Sequence, residues 1–207
     1  KRICKRMTKN EFLSRFHHAR TIPTEPDYPL HSAGKPAAVL MPMLERRGQL
    51  SMLFTLRSRH LKHHAGQVSF PGGKQEPSDN NLLTTALRET HEEIGVHPQC
   101  IEVIGNLPLY RTVSRYEVVP YVGFVQMPLE LILDTNEVES VFEVPLNFLL
   151  DKNNHFIHWV TRKNAQQHPV YFIKWHDQVI WGATAAFVRV LSNHIASDAY
   201  SSANTIF

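Results

Sequence analysis

The chain has 207 residues, 43% of them hydrophobic and 20% charged, with a formal net charge of +3 when its 13 histidines are counted neutral. That length supports one domain with a sizeable core, leaves little room for a second, and makes covalent staples unnecessary. So small a charge argues against nucleic acid, which calls for a strongly basic patch, yet it suits a small anionic phosphate substrate. Cys4 and Cys100 are too distant to suggest a framework, and neither has a neighbour at metal-ligand spacing, so both are expected as free thiols in a reducing compartment. No apolar run nears the ~18 residues needed to span a bilayer. The basic N-terminus is not followed by an apolar stretch either, so no export signal is expected and the expected location is the cytoplasm, with no membrane partner.

Thr8 to Ala19 reads as a short amphipathic helix, with Thr8 as cap, Glu11 three residues on as in a capping box, and Phe12, Leu13 and Phe16 as its apolar stripe. A Pro-rich arm from Thr21 to Pro36 follows, since proline removes donors and blocks helix. AAVLMPML and LSMLFTLRS read as two strands joined by a turn at Arg47-Gly48, followed by a loop rich in His and Lys. QVSF is a short strand and PGGK a turn, and from about Ser78 to Glu93 the pattern is helical. CIEVIGNLPLY, YEVVPYVGFVQM and SVFEVPL read as strands, NHFIHWVTR and VYFIKWHDQVIWG as a late hairpin, and GATAAFVRVLSNHI as a closing helix. No internal repeat emerges. Strands, one central helix, strands again and a final helix predict a mixed sheet covered by helices. Residues 1–35 are expected to form the N-terminal helix and arm, 36–195 the main domain, and 196–207 a mobile tail.

The segment Gly72 to Val96 carries the chemistry. Leu83, Leu87, Thr90 and Ile94 recur at helical steps and predict the buried stripe. At ~100° per residue, Glu89, Glu92 and Glu93 then share a neighbouring sector about 100° wide. Carboxylates so close repel one another, so a face of this kind needs either solvent or a positive charge. Hard divalent cations such as Mg²⁺ or Mn²⁺ prefer these oxygens and bridge to substrate phosphates. Gly95 suits a left-handed helix end, and Gly72 and Gly73 allow the backbone to approach a ligand or metal closely.

Gly73, Arg88, Glu89, Thr90, Glu92, Glu93, Gly95 and Val96 together resemble the signature of the Nudix hydrolase family. Thr90 replaces the usual aliphatic residue. The loop is one residue longer than the general pattern, so that counting back from Arg88 puts Asn80, not Asp79, at the usual acid position. The resemblance implies an α/β fold, the Nudix α/β/α sandwich with a central mixed β-sheet. It further implies that Glu89 and Glu93 ligate Mg²⁺ or Mn²⁺, that Glu92 supports the cluster, that Arg88 orients a glutamate through a salt bridge, and that the Gly73 carbonyl adds a ligand.

Upstream, Leu53, Thr55, Arg57, Ser58, Gly66, Phe70, Pro71, Gly72 and Gly73 resemble the signature of the coenzyme A diphosphatase branch of that family, with Phe54 standing for leucine and Lys62 for arginine. That branch also carries the longer loop, with an acid near Glu76 and Asp79. Its substrate bears a diphosphate and a 3′-phosphate, and Arg57, Arg59 and Lys62, with His60, His63 and His64, form a basic cluster suited to bind them. The likeness implies a further acid before the later strand, with Glu137 preferred over Glu139 and Glu143 as metal ligand or general base and Glu92 as the rival base. Tyr110, Arg111, Ser114 and Tyr116 are candidates to line a pocket for adenine or pantetheine. The implied reaction is metal-dependent hydrolysis of coenzyme A or its derivatives to 3′-phosphoadenosine 5′-phosphate and 4′-phosphopantetheine. Competing readings are a diphosphatase for ADP-ribose, NADH or dinucleoside polyphosphates, and a non-catalytic nucleotide-binding module, against which the presence of all three helix glutamates speaks. An RNA-decapping role fits the slight charge poorly. The oligomeric state stays open, a homodimer included.

Overall fold

A computed structural model describes residues 7–18, 24–28, 33–161 and 167–196. Helix α1 spans Lys9–His18, strands β1 and β2 span Lys35–Arg46 and Gln49–Arg57, and two short strands follow, β3 (Val68–Ser69) and β4 (Gly72–Lys74). Helix α2 (Leu82–Ile94) leads into β5 (Ile101–Asn106), β6 (Tyr110–Arg111), β7 (Tyr116–Val125) and β8 (Val138–Pro145). A short helix α3 (Leu146–Leu150) precedes β9 (His155–Thr161), β10 (Gln167–Trp175) and β11 (Gln178–Trp181), and α4 (Gly182–Ala196) closes the order.

The β1–β2 hairpin turns as expected. Arg47 and Gly48 have φ of 53° and 70°, the paired left-handed residues that a two-residue hairpin loop of matching twist requires. β1 is buried on both faces, which explains its near-continuous apolar sequence. It runs parallel to β7 and antiparallel to β2, which makes the eight-stranded sheet mixed. Beyond the Met43–Met52 pair the hairpin splays apart. β4 pairs with β1 at Ala37–Val39 and β3 with β2 at Thr55–Leu56, so PGGK forms a short strand and not merely a turn. This wedge carries the glycine loop onto the sheet.

One face of the sheet sends Ala38, Leu40, Leu44 and Leu53 against Ala86 and Ile94 of α2. The other sends Met41, Met43, Met52 and Phe54 into a larger core with Phe12 of α1 and Phe187 and Leu191 of α4. Helices on both faces give the expected α/β/α sandwich. The expected late hairpin is a separate three-stranded antiparallel sheet, β11-β10-β9, because the run around Trp175 folds back at His176 (φ 50°) to add a third strand. Helix α3 had no sequence signal longer than its own apolar run.

Thr8 caps α1 by accepting from the Glu11 N–H at 3.2 Å, but the Glu11 carboxylate pairs with Arg15 at 2.8 Å instead of returning to Thr8. Within the arm, Glu25 accepts from Tyr171 (2.6 Å) and Asn193 (2.7 Å) and pairs with Arg189 (2.8 Å), fastening residues 24–28 to β10 and α4. Cys100 is half-buried and unbridged. Cys4, Ala19 and the tail from residue 197 lie outside the described residues. No described helix is long and apolar enough to cross a membrane.

Candidate active site

Helix α2 is bounded by two caps. Asn81 Oδ1 accepts from the Thr84 N–H at 2.9 Å, and Gly95 ends the helix at φ 76° with its N–H on His91 O. The stripe it buries is Thr85, Ala86, Thr90, Glu93 and Ile94, whereas the expected Leu83 and Leu87 are only half-buried. Small side chains let α2 lie close over β1 and β4, and the hydroxyls are satisfied internally. Thr90 Oγ1 donates to Ala86 O at 2.6 Å and Thr85 Oγ1 to Asp79 at 3.0 Å. An apolar count alone misses this face, because the threonines and one carboxylate are part of it.

The three helix glutamates occupy three different environments. Glu92 points outward with 55% of its side chain exposed, Glu89 is 14% exposed, and Glu93 only 2%. Arg88 gathers most of the charge. It donates to both Asp79 oxygens at 3.0 Å, meets Glu89 at 3.0 Å and Glu92 at 2.7 Å, and reaches the Lys74 carbonyl at 3.4 Å. The Arg88 guanidinium, with help from the Glu76 N–H and Thr85, holds the buried Asp79 carboxyl well below the usual carboxylate range. The acid of the lengthened loop is therefore Asp79, not Asn80, and it acts as the rigid partner of Arg88.

Glu93 faces the opposite problem. Burial pushes its carboxyl up to about 8, the Arg57 guanidinium counters that rise, and the Glu89 and Glu137 charges add to it. Arg57 Nη1 stands 3.8 Å from Glu93 Oε1, while Glu93 Oε2 and Arg57 Nε are buried without a hydrogen-bond partner. Burial raises Glu89 as well, against the pull of Arg88. Glu137 comes close enough to act on both glutamates because its loop is tied at each end. Asp134 N–H donates to Glu93 O at 3.0 Å, and Ser58 N–H, just past β2, donates to Glu137 O at 2.9 Å.

Gly73 runs against this cluster, so near that a Cβ there would lie 2.4 Å from Glu89 Oε1. The side-chain oxygens that could hold a divalent ion are thus those of Glu89, Glu93 and Glu137, with the backbone of Gly73 beside them. An all-oxygen set beside a buried carboxylate oxygen lacking a donor fits a hard dication. Among the described residues no three acidic, histidine or cysteine side chains already converge on one point, and Arg88 engages Glu89 and Glu92.

A cleft of about 680 Å³ runs from Arg57, Gly72 and Gly73 to the far wall, where Tyr110, Arg111, Ser114 and Tyr116 lie as anticipated. His63, His64 and Lys74 also line it. Arg59 and Lys62 do not. Arg59 is 81% exposed and pairs with Glu139 at 3.3 Å, and Lys62 is exposed on the same surface loop. The reason is the end of β2, which aims Arg57 inward and then releases the chain into a loop turning at His64 and Gly66, both at positive φ. Sequence reasoning missed Tyr28, whose N–H bonds the Arg111 carbonyl at 3.0 Å, and the cleft wall formed by His168, Val170 and Trp181. These come from distant segments and carry no local signal.

The NUDIX domain family model matches residues 34–175. The chain therefore belongs to the Nudix family and is a Nudix hydrolase, an enzyme class that uses divalent metal ions on nucleotide diphosphate substrates. It is 39% identical over 190 residues to the Nudix hydrolase NudL of Shigella flexneri, covering 91% of this chain and 95% of that one. To NudL of Yersinia enterocolitica it is 36% identical over 189 residues, covering 91% and 93%. The fold is similar to that of a MutT/nudix family protein from Enterococcus faecalis, with TM-score 0.53 and 16% identity over 92% of this chain and 70% of that one.

Proposed function

We propose that this Nudix hydrolase cleaves the diphosphate bond of coenzyme A or one of its derivatives, giving 3′-phosphoadenosine 5′-phosphate and 4′-phosphopantetheine. One observation carries the reading. The two motifs meet at a point, with Arg57 of the upstream signature 3.8 Å from Glu93 of the helix signature, at one end of a long cleft. The cleft's tyrosines and its cations, Lys74 and Arg111, suit a substrate with a ring, an apolar arm and several phosphates.

Glu89, Glu93 and the Gly73 carbonyl are the proposed ligands for Mg²⁺ or Mn²⁺. When bound, such an ion neutralises diphosphate charge and makes water a better nucleophile. Arg88, locked by Asp79, holds Glu89 in place. Arg57 faces both Glu93 and the cleft and is placed to engage a phosphate oxygen. Glu137 is the proposed general base, because it is half-buried beside Glu89 and Glu93, whereas Glu92 is turned outward onto Arg88. Arg59 and Lys62 take no part in this scheme.

The test is product analysis after incubation with coenzyme A, ADP-ribose and NADH in turn, with Mg²⁺ or Mn²⁺ and a chelator control. Metal-dependent release of 4′-phosphopantetheine is the expected result. Cleavage of ADP-ribose or NADH with coenzyme A untouched would refute the substrate while leaving the catalytic helix in place.

A further inference from the structure

Strand β9 reads His155-Phe156-Ile157-His158-Trp159-Val160-Thr161 and contains no lysine, arginine, aspartate or glutamate. Among the described residues it pairs only with β10, so one of its edges is free. Soluble proteins usually blunt such an edge with charge, proline or a bulge. Here Phe156, Ile157, Trp159 and Val160 are instead 59%, 42%, 55% and 43% exposed. Successive strand residues point to opposite faces, so Phe156 and Val160 lie on one face and Ile157 and Trp159 on the other. A molecule lying on the sheet would cover one face only. A strand added at the edge covers both.

Register follows from one residue. Trp159 lies opposite Pro169, which has no N–H, so this is a non-hydrogen-bonded pair of the antiparallel ladder. By alternation the N–H and C=O groups of Ile157 and Trp159 are directed to the free edge, ready for another strand.

We propose that β9 pairs antiparallel with β9 of a second copy of this chain, about a twofold axis at His158, joining the two small sheets into one of six strands. The occupant is a second copy because the strand complements itself about that residue. Phe156 meets Val160 and Ile157 meets Trp159, each an aromatic on a β-branched side chain, His158 meets its own copy on the axis, and no lysine, arginine, aspartate or glutamate is set against its like. The four side chains expose on the order of 400 Å² per copy, which supplies the apolar half of the roughly 800 Å² per partner that a specific interface buries. The pairing is continuous with the cleft, since His158 and Val160 lie directly opposite the cleft-lining Val170 and His168 of β10.

Sedimentation velocity from about 1 to about 100 µM tests this, a range that brackets a micromolar dissociation constant. The expected mass at the upper end is twice the 23.8 kDa of the chain. Trp159→Lys and Ile157→Glu should each weaken association by about tenfold or more, while Val179→Lys, 44% exposed but on β11, leaves it intact. Mixing W159K with I157E should restore association, because the register sets the new lysine opposite the new glutamate. A wild-type chain that stays at 23.8 kDa overturns the proposal. So do edge variants that dimerise like wild type, or a mixture of dissociated W159K and I157E that fails to recover.

Discussion

Two adjacent glycines separate what the fold requires from what the site requires. A Cβ on Gly72 would meet Ala38 O at 2.4 Å and Val39 Cα at 2.6 Å, and its φ of 155° lies where L side chains are strained. Both obstacles are backbone of the central strand and cannot rotate away. Gly72→Ala should therefore cost about 2–4 kcal/mol, from conformational strain plus overpacking. At roughly 2–4 °C per kcal/mol for a chain of this size, its melting temperature should fall by about 5–15 °C. The three atoms nearest a Cβ on Gly73 all belong to the Glu89 carboxylate, at 2.4 Å to Oε1 and 2.5 Å to Cδ, and no unusual φ is involved. That carboxylate is the free end of a flexible chain and can step aside. Gly73→Ala should thus cost under about 1 kcal/mol of stability. The displaced group is a proposed metal ligand, however, and a shift of about 1 Å at such a position lowers turnover by about 100-fold. Calorimetry and steady-state hydrolysis on both variants read the two effects independently. A G73A enzyme with wild-type kcat, or a G72A enzyme with wild-type melting temperature, would refute the reasoning.

Glu93→Gln should keep the fold and lose at least about 100-fold in kcat, measured with coenzyme A and Mn²⁺. In wild type, Mn²⁺ at about 100 times its Kd should add about 2.7 kcal/mol of stability, a rise in melting temperature that E93Q should lack and a chelator should reverse. Asp79→Asn should cost about 2–3 kcal/mol, because it leaves the largely buried Arg88 without its fork-to-fork partner. The pH dependence of wild type has a definite sign here. The folded Asp79 carboxyl lies below its unfolded value, so the contribution of the pair is complete above about pH 4 and is lost as pH falls toward the folded value. Acid-limb melting curves should accordingly be flatter in D79N, and identical slopes for the two proteins would contradict this.

The parts legible in the sequence are those decided by local geometry. Arg47-Gly48 encodes the hairpin turn, Gly95 the helix end, and the Arg88–Glu93 spacing the acidic helix. What escaped depends on tertiary contact. Arg57 and Arg59 are chemically alike and two residues apart, yet one faces Glu93 and the other the solvent, because β2 ends between them. Glu92 and Glu93 are adjacent, yet only the second turns under the helix. Tyr28 reaches the cleft from the Pro-rich arm because Glu25 is anchored on Tyr171, Arg189 and Asn193 and residues 26–28 on Tyr110 and Arg111, none of them near in sequence.

Asp79 and Glu93 are the two buried carboxylates of the site, and they behave in opposite ways. Each side chain is 2% exposed, and each has an arginine as its nearest cation. Burial pushes both upward, yet Asp79 ends far below the ordinary range and Glu93 near 8. Two things differ: Glu93 lies deeper among protein atoms, so desolvation weighs more heavily on it, and its pairing is poorer even with help from the Gly72 N–H. Asp79 receives two guanidinium hydrogen bonds at 3.0 Å, whereas Glu93 has one guanidinium at 3.8 Å and an oxygen with no donor. A buried pair contributes to stability only when its lone pairs are satisfied, and otherwise desolvation outweighs attraction. Asp79 meets that condition and reads as architecture. Glu93 fails it at the deepest point of the site, and a fold under selection for stability alone would have no reason to keep a carboxylate there. Its poor pairing has a physical rationale if its oxygens are kept for a cation stronger than an arginine at 3.8 Å, and the loss of both Mn²⁺ stabilisation and turnover in E93Q is the joint outcome that this argument requires.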